Sequence, residues 1–306
     1  MKVAIVHDWL NTKFGGAENV LVELAELFPE APIYTILYDP ATAGAAIAPG
    51  RIHPSRLQHL PAFLRQRPRY LLPFIPRSIE RFDLSGYDVV ISSSSAWVKG
   101  VITGPQTLNI CYCYSPMRFA WDYWPRYVQE QQVGPLRRAA IHVLTSRLRV
   151  WDYFSAARVD RWVAISHHVA SRIHKYYRQP MKAISVIYPG ADIAAFKPQP
   201  TEKEDYFLVL SSLAPYKKID LAIAACNRLG KRLIVAGDGA DRGRLERLAG
   251  DTIEFTGRVS DSRRAELLAR ATAFIFPGEE DFGIAPVEAM ASGTPVIAYN
   301  RGGLTE

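Results

Sequence analysis

Short apolar runs alternate along this chain with stretches whose apolar residues fall at helical spacing, and that alternation limits the fold more than any other feature. Val3–Val6 opens the series, and Asn19 to Phe28 then places Val20, Leu21, Leu24, Leu27 and Phe28 along one helical face. Strand-like runs follow at Ile33–Leu37, Val89–Ser92, Leu108–Tyr112, Trp162–Ile165 and Ile184–Ile187. Strands separated by helical stretches imply parallel pairing with helices covering the sheet faces. The pattern breaks at Tyr188-Pro189-Gly190, and Phe196–Asp205 is polar with two prolines, so the domain boundary is placed to give domains 1–195 and 196–306. A second alternation follows: strands at Phe207–Ser211, Arg232–Ala236, Ile253–Thr256, Ala273–Phe276 and Pro295–Tyr299, with helices at Ile219–Leu229, Arg242–Leu248, Asp261–Ala271 and Ile284–Ala291. The expected fold class is α/β: two Rossmann-like doubly wound domains facing a cleft. Ligands of such sheets lie beyond the carboxyl ends of the strands. The chain stops at Leu304-Thr305-Glu306, just after a strand and a Gly-Gly loop, so the second domain reads as truncated at its C-terminal end.

A length of 306 residues suits two domains, and 48% hydrophobic with 22% charged residues describes an ordinary globular protein. Cys111, Cys113 and Cys226 are too few for a disulfide scaffold, and a lone C-x-C is a poor zinc site. No run approaches eighteen apolar residues and no signal peptide opens the chain, so a cytoplasmic protein is expected, at most docked on the inner face of a membrane. Residues 1–185 carry a formal charge of +9 and residues 186–306 of −2. A basic front half suits an anionic partner: a phosphate-bearing substrate, a membrane surface or, less favoured, nucleic acid. From Arg51 to Arg81 seven arginines stand against one acid, Glu80, interleaved with Leu57, Leu60, Phe63, Leu64, Tyr70, Leu71, Leu72, Phe74 and Ile75. That mixture suits an anionic bilayer or a lipid-diphosphate acceptor as well as a set of surface helices packed on a core.

The densest local chemistry runs from Gly278 to Pro295. An acidic loop leads through Phe282 and Gly283 into a helix opening at Ile284, where Gly283 permits close backbone approach and free helical N–H groups suit an anion such as a diphosphate. Glu280 and Glu288 repel phosphate, but as acceptors they suit the hydroxyls of a ribose and of a sugar. A capping acid and an acid on a solvated face would look the same in sequence. Gly237-Asp238-Gly239 followed by Gly243 has a G-x-G-x-x-x-G spacing, off by one from the dinucleotide fingerprint, so an NAD site is disfavoured. No D-x-D triplet occurs, which fits chemistry without a metal, and no cofactor is expected.

Glu280 and Glu288 with Phe282-Gly283 and the Ala291-x-Gly293-x-Pro295-Val296-Ile297 ending resemble the donor-site motif of family 4 retaining glycosyltransferases, which have the GT-B fold. Ordered segments extend the resemblance over the whole chain: His7-Asp8-Trp9, Gly15-Gly16-Ala17-Glu18, Ser92-Ser93-Ser94 with Lys99-Gly100, Tyr112-Cys113-Tyr114-Ser115-Pro116-Met117-Arg118 with Trp121-Asp122, Ile187-Tyr188-Pro189-Gly190, Pro215-Tyr216-Lys217-Lys218, Gly237-Asp238-Gly239 and Gly257-Arg258-Val259. Within the family it is most similar to bacterial O-antigen and exopolysaccharide mannosyltransferases. The resemblance implies that domain 1–195 takes the acceptor and domain 196–306 the nucleotide sugar, with GDP-mannose favoured and a lipid-linked or glycan acceptor. It assigns the ribose to Glu288, the sugar hydroxyls to Glu280 and the diphosphate to Lys217 and the Gly15-Gly16 backbone, with Arg258 or Lys218 to compensate for the charge that Ser212 lacks. Phe282, Gly283 and Ile284 join the donor site, and Gly257, Arg258 and Val259 line the base pocket. Two departures stand out: Ser212 holds a position where the family usually has arginine, and Tyr114 one where relatives often have histidine, which makes His7 a further candidate near the sugar. The expected reaction is retaining hexosyl transfer, with a catalytically impaired nucleotide-sugar-binding protein, and behind it an NAD-dependent oxidoreductase, as alternatives.

Overall fold

A computed structural model describes residues 1–11, 15–41, 47–67, 70–122, 134–199 and 202–306. It divides into two compact units, Met1–Tyr188 and Pro189–Glu306. The division falls a few residues before the boundary expected from sequence. Asp192 closes a turn on the N–H groups of Ala194 and Ala195, and Phe196 is buried in the core of the second unit.

Among the described residues the first unit holds seven strands: β1 Val3–Leu10, β2 Ile33–Tyr38, β3 Ile52–Pro54, β4 Val89–Ser94, β5 Leu108–Cys113, β6 Arg161–Ala164 and β7 Ile184–Val186. All pair in parallel in the order β3-β2-β1-β4-β5-β6-β7. Chain progression reverses between β1 and β4, so this pair is the topological switch point. Side chains of β1 alternate between two cores, Ala4 and Val6 on one face and Ile5 on the other. Helices are α1 Gly16–Leu27, α2 Ala62–Arg65, α3 Ile75–Ile79, α4 Pro135–Ser155 and α5 His167–Tyr177.

Among the described residues the second unit has five parallel strands, β8 Phe207–Leu210, β9 Leu233–Ala236, β10 Ile253–Gly257, β11 Ala273–Phe276 and β12 Val296–Ala298, in the order β10-β9-β8-β11-β12. Its helices are α6 Ile219–Leu229, α7 Arg242–Leu248, α8 Asp261–Arg270 and α9 Ile284–Ala291. Here the reversal lies between β8 and β11. Leu208, Ile234 and Phe274 face one core, while Val209, Leu233 and Val235 face the other.

The Arg51–Arg81 segment is divided between core and surface, with Pro68 and Arg69 outside the described residues. Leu71, Ile75 and Ile79 are buried, and Leu57, Leu60, Leu64 and Leu72 pack against the same cluster. Phe63, Tyr70 and Phe74 stay exposed. Arg51 faces the protein: its guanidinium donates to the carbonyls of Ala25, Phe28 and Ala31 at the end of α1, where a cation offsets the helix dipole.

Candidate functional site

In the second unit, the loops leaving β8 and β11 bring two sequence-selected residues together. Pro215–Lys217 forms a single 3-10 turn, and Lys218 follows in the left-handed region (φ 55°) to start α6. From that turn Lys217 reaches Glu280 in an ion pair, with Nζ 5.6 Å from the centre of the Phe276 ring that ends β11. Both partners are largely buried, so the pair sits at the carboxyl ends of the two strands flanking the switch point, where doubly wound sheets bind ligands.

The backbone around Glu280 is held by glycines. A Cβ on Gly278 would lie 2.9 Å from the Lys217 carbonyl oxygen, and one on Gly302 would lie 2.3 Å from the Glu280 carbonyl oxygen. Gly303 donates its N–H to that Glu280 carbonyl at 2.8 Å. In the sequence Gly302 and Gly303 read only as a loop after a strand; the contact that fixes Glu280 is tertiary. Gly283 caps α9 at φ 95°, a conformation that side chains disfavour.

Glu288 lies one turn into α9 and is 2% exposed. Its carboxylate pairs with Arg264 of α8, whose guanidinium rests 4.9 Å from the Phe196 ring centre. Burial raises the Glu288 pKa, and Arg264 opposes that rise. Glu288 and the Lys217–Glu280 pair therefore have separate ionic partners, and Arg264 had no signal in the sequence beyond one arginine among several on a polar helix.

Gly257 ends β10 at φ 70° and accepts the Gly237 N–H at 2.7 Å. Arg258 and Lys218 are exposed, and Val259 packs at the edge of the core. Ser212 is exposed on the loop after β8. Gly237 and Gly239 have a packing reason of their own: a Cβ would stand 1.8 Å from the Ser211 carbonyl oxygen at the first and 2.2 Å from that of Leu213 at the second. These glycines seat the β9 loop against the β8 loop, which accounts for the near-fingerprint without a dinucleotide.

In the first unit a buried chain of hydrogen bonds spans the switch point. His7 Nδ1 lies 2.9 Å from Ser93 Oγ, which lies 2.8 Å from the Tyr114 hydroxyl, which donates to the Ala17 carbonyl at 3.1 Å. The Tyr114 proton is committed to a carbonyl, so Ser93 donates to Tyr114 and His7 donates from Nδ1. Burial lowers the His7 pKa to about 4, so the ring is neutral near pH 7. Tyr114 thus ties β5 to the first turn of α1, next to Gly15 and Gly16. Gly15 donates its N–H to Glu18 at 2.8 Å, so that amide serves the helix start.

Asp8, buried at the end of β1, accepts N–H bonds from Ser95, Ala96, Trp97 and Val98 at 2.6–3.1 Å and so shapes the loop after β4. Lys99 pairs with Asp152 of α4, and a Cβ on Gly100 would meet the Trp151 ring at 2.7 Å. No cluster of His, Cys, Asp or Glu suited to a metal occurs among the described residues. All three cysteines are buried thiols.

A family model described as "Glycosyltransferase Family 4" matches residues 14–195, and one described as "Glycosyl transferases group 1" matches residues 191–306. The chain is 44% identical over 94 residues to a GDP-mannose-dependent alpha-(1-6)-phosphatidylinositol dimannoside mannosyltransferase of Mycobacterium tuberculosis, a match covering 29% of this chain and 25% of that one. It is 25% identical over 326 residues to a GDP-mannose-dependent alpha-mannosyltransferase of Mycolicibacterium smegmatis, covering 99% of this chain and 80% of the relative. Among solved structures, Anabaena Alr3699/HepE in complex with UDP-glucose superposes with a TM-score of 0.68 at 17% identity over 99% of this chain and 82% of that one. That likeness establishes the fold, two Rossmann-like units of the GT-B type.

Proposed function

The chain belongs to glycosyltransferase family 4, and on that premise we propose that it moves a hexose, mannose from GDP-mannose, to a lipid-linked or growing polysaccharide acceptor with retention of configuration. The observation that carries this reading is the Lys217–Glu280 pair at the β8/β11 switch point. A diphosphate arriving there competes with Glu280 for Lys217. Once displaced from the lysine, Glu280 is an acceptor for the hydroxyls of the transferred sugar, and Lys217 neutralises the charge that grows as the nucleotide leaves. Glu288 takes the ribose, Gly257, Arg258 and Val259 border the base, and the N-terminus of α9 at Gly283 and Ile284 offers N–H groups to phosphate. The first unit, with His7 and Tyr114 at its own switch point, takes the acceptor. The mannose assignment leans on relatives whose names specify GDP-mannose. A thermal-shift panel tests it: GDP-mannose should raise the melting temperature more than UDP-glucose, and the reverse order would reassign the donor.

Ser212→Arg is expected to strengthen GDP-mannose binding. A guanidinium at this exposed loop position adds a charge-assisted contact to the diphosphate of about 1.5–3 kcal/mol, roughly ten- to a hundredfold in affinity. Titration at low and high salt checks it; affinity unchanged or lowered at both would mean that Arg258 or Lys218 already holds that space.

The acceptor reading also asks for a membrane face. No helix among the described residues is long and apolar enough to cross a membrane. α4, however, leaves Leu136, Val143, Val150 and Phe154 exposed beside Arg138 and Arg147, while its one acid, Asp152, is buried against Lys99. Leu144, Leu148 and Trp151 of α4 pack on the same core cluster as Leu57, Leu60 and Leu64, so α4 and the Arg51–Arg81 segment cover one side of the sheet. Exposed apolar side chains among basic ones suit an anionic bilayer surface. Val143→Glu with Phe63→Glu should reduce sedimentation with phosphatidylglycerol vesicles several-fold and leave donor binding unchanged. Undiminished sedimentation would remove this face from membrane contact.

A further inference from the structure

We infer that Arg264, acting through its ion pair with Glu288, is a positioning residue for the nucleoside end of the donor, an inference that rests on the reading of Glu288 as the ribose acceptor. The pair is local and built. Arg264 projects from α8, its guanidinium lies on the Phe196 ring at 4.9 Å, and it meets the Glu288 carboxylate on the neighbouring helix α9. Asp261, one turn earlier on α8, lies 3.8 Å from the same guanidinium. α9 also packs against β11 and β12, whose residues Ala273–Phe276 and Val296–Ala298 carry no ionisable side chain. Arg264 in favour of the carboxylate, and Asp261 against it, are thus the charged groups that face Glu288.

Burial and Asp261 both favour the protonated form of Glu288, and Arg264 opposes them. Ionised, Glu288 accepts hydrogen bonds from both ribose hydroxyls; protonated, it loses the charge that makes those bonds strong. Without Arg264 the Glu288 pKa climbs further. Affinity supplied by the ionised carboxylate is present above that raised pKa and is lost as pH falls through it.

The test is titration calorimetry of GDP-mannose, whose diphosphate does not titrate between pH 6 and 8.5, against the full chain and four variants. Arg264→Gln should bind roughly ten- to a hundredfold more weakly than the parent at pH 6.5, and the gap should close towards pH 8.5 by up to about tenfold per pH unit. Arg264→Lys, which keeps a cation, should stay near the parent. Glu288→Gln should be weak at every pH. Asp261→Asn, at an exposed position that does not endanger folding, should carry tight binding to lower pH, and it preserves the test if Arg264→Gln does not fold. A loss in Arg264→Gln that is the same at every pH, or no loss, assigns Arg264 to packing alone and overturns the inference. Parent-like affinity in Glu288→Gln would instead withdraw Glu288 from the ribose and take the inference with it.

Discussion

Asp152→Ala is expected to destabilise the first unit by about 3–5 kcal/mol, a large share of the roughly 5–15 kcal/mol that holds a typical domain together. Asp152 and Lys99 form a 2.5 Å ion pair at side-chain exposures of 0% and 1%. Asp152 also accepts the Trp121 indole N–H at 2.7 Å, while Lys99 donates to the Ala96 carbonyl and lies over the Trp151 and Tyr177 rings. Removing the carboxylate strands an ammonium group that water cannot reach. The cost is that of an uncompensated buried charge, which exceeds what the pair itself contributes. Urea unfolding followed by tryptophan fluorescence measures it. Lys99→Met combined with Asp152→Leu should recover most of the loss, because an apolar pair leaves no charge behind. Equal stability of Asp152→Ala and the parent would mean that Lys99 finds water or another anion.

Lys217→Ala should lower turnover by about 10²–10³, or roughly 2.7–4 kcal/mol of transition-state stabilisation, the usual range for deleting one group that meets charge as it develops. The effect should fall chiefly on kcat, since negative charge on the departing nucleotide is greatest in the transition state. Donor binding should weaken less, because the α9 N-terminus and Glu288 remain. Glu280→Gln separates the partners: it keeps hydrogen bonding to sugar hydroxyls but releases Lys217, so it should tighten nucleotide diphosphate binding while slowing transfer. Parent-like turnover in Lys217→Ala would remove the lysine from the reaction.

The strands were legible because each buried strand of a parallel sheet is a short apolar run. Val3–Val6, Ile33–Leu37 and Phe207–Ser211 all lie in observed strands or overlap them. α4 carries no clean helical period in the sequence, because Leu136, Val143 and Val150 add exposed apolar residues outside the buried face of Leu144, Leu148 and Trp151. β3 is three residues long and ends in proline, too short for any pattern. At the site, Lys217, Glu280 and Glu288 could be selected because their residue types and their places after strands limit what they can do. Their ionic partners could not. That Lys217 meets Glu280 while Arg264 meets Glu288 depends on the order β10-β9-β8-β11-β12, which only pairing settles. Asp8 and Lys99 lie in segments shared with the family, yet four converging N–H groups and a carboxylate fifty-three residues away are tertiary facts.

The most direct measurement is the anomeric configuration, by proton NMR, of the product formed from GDP-mannose and a lipid-linked glycan acceptor. GDP-mannose carries an α-linked mannose, so an α-mannoside formed at a rate that collapses in Lys217→Ala is the predicted result. A β-linked product would contradict retention. Tight GDP binding with no transfer from GDP-mannose or UDP-glucose would contradict the enzyme itself and leave a nucleotide-sugar-binding protein.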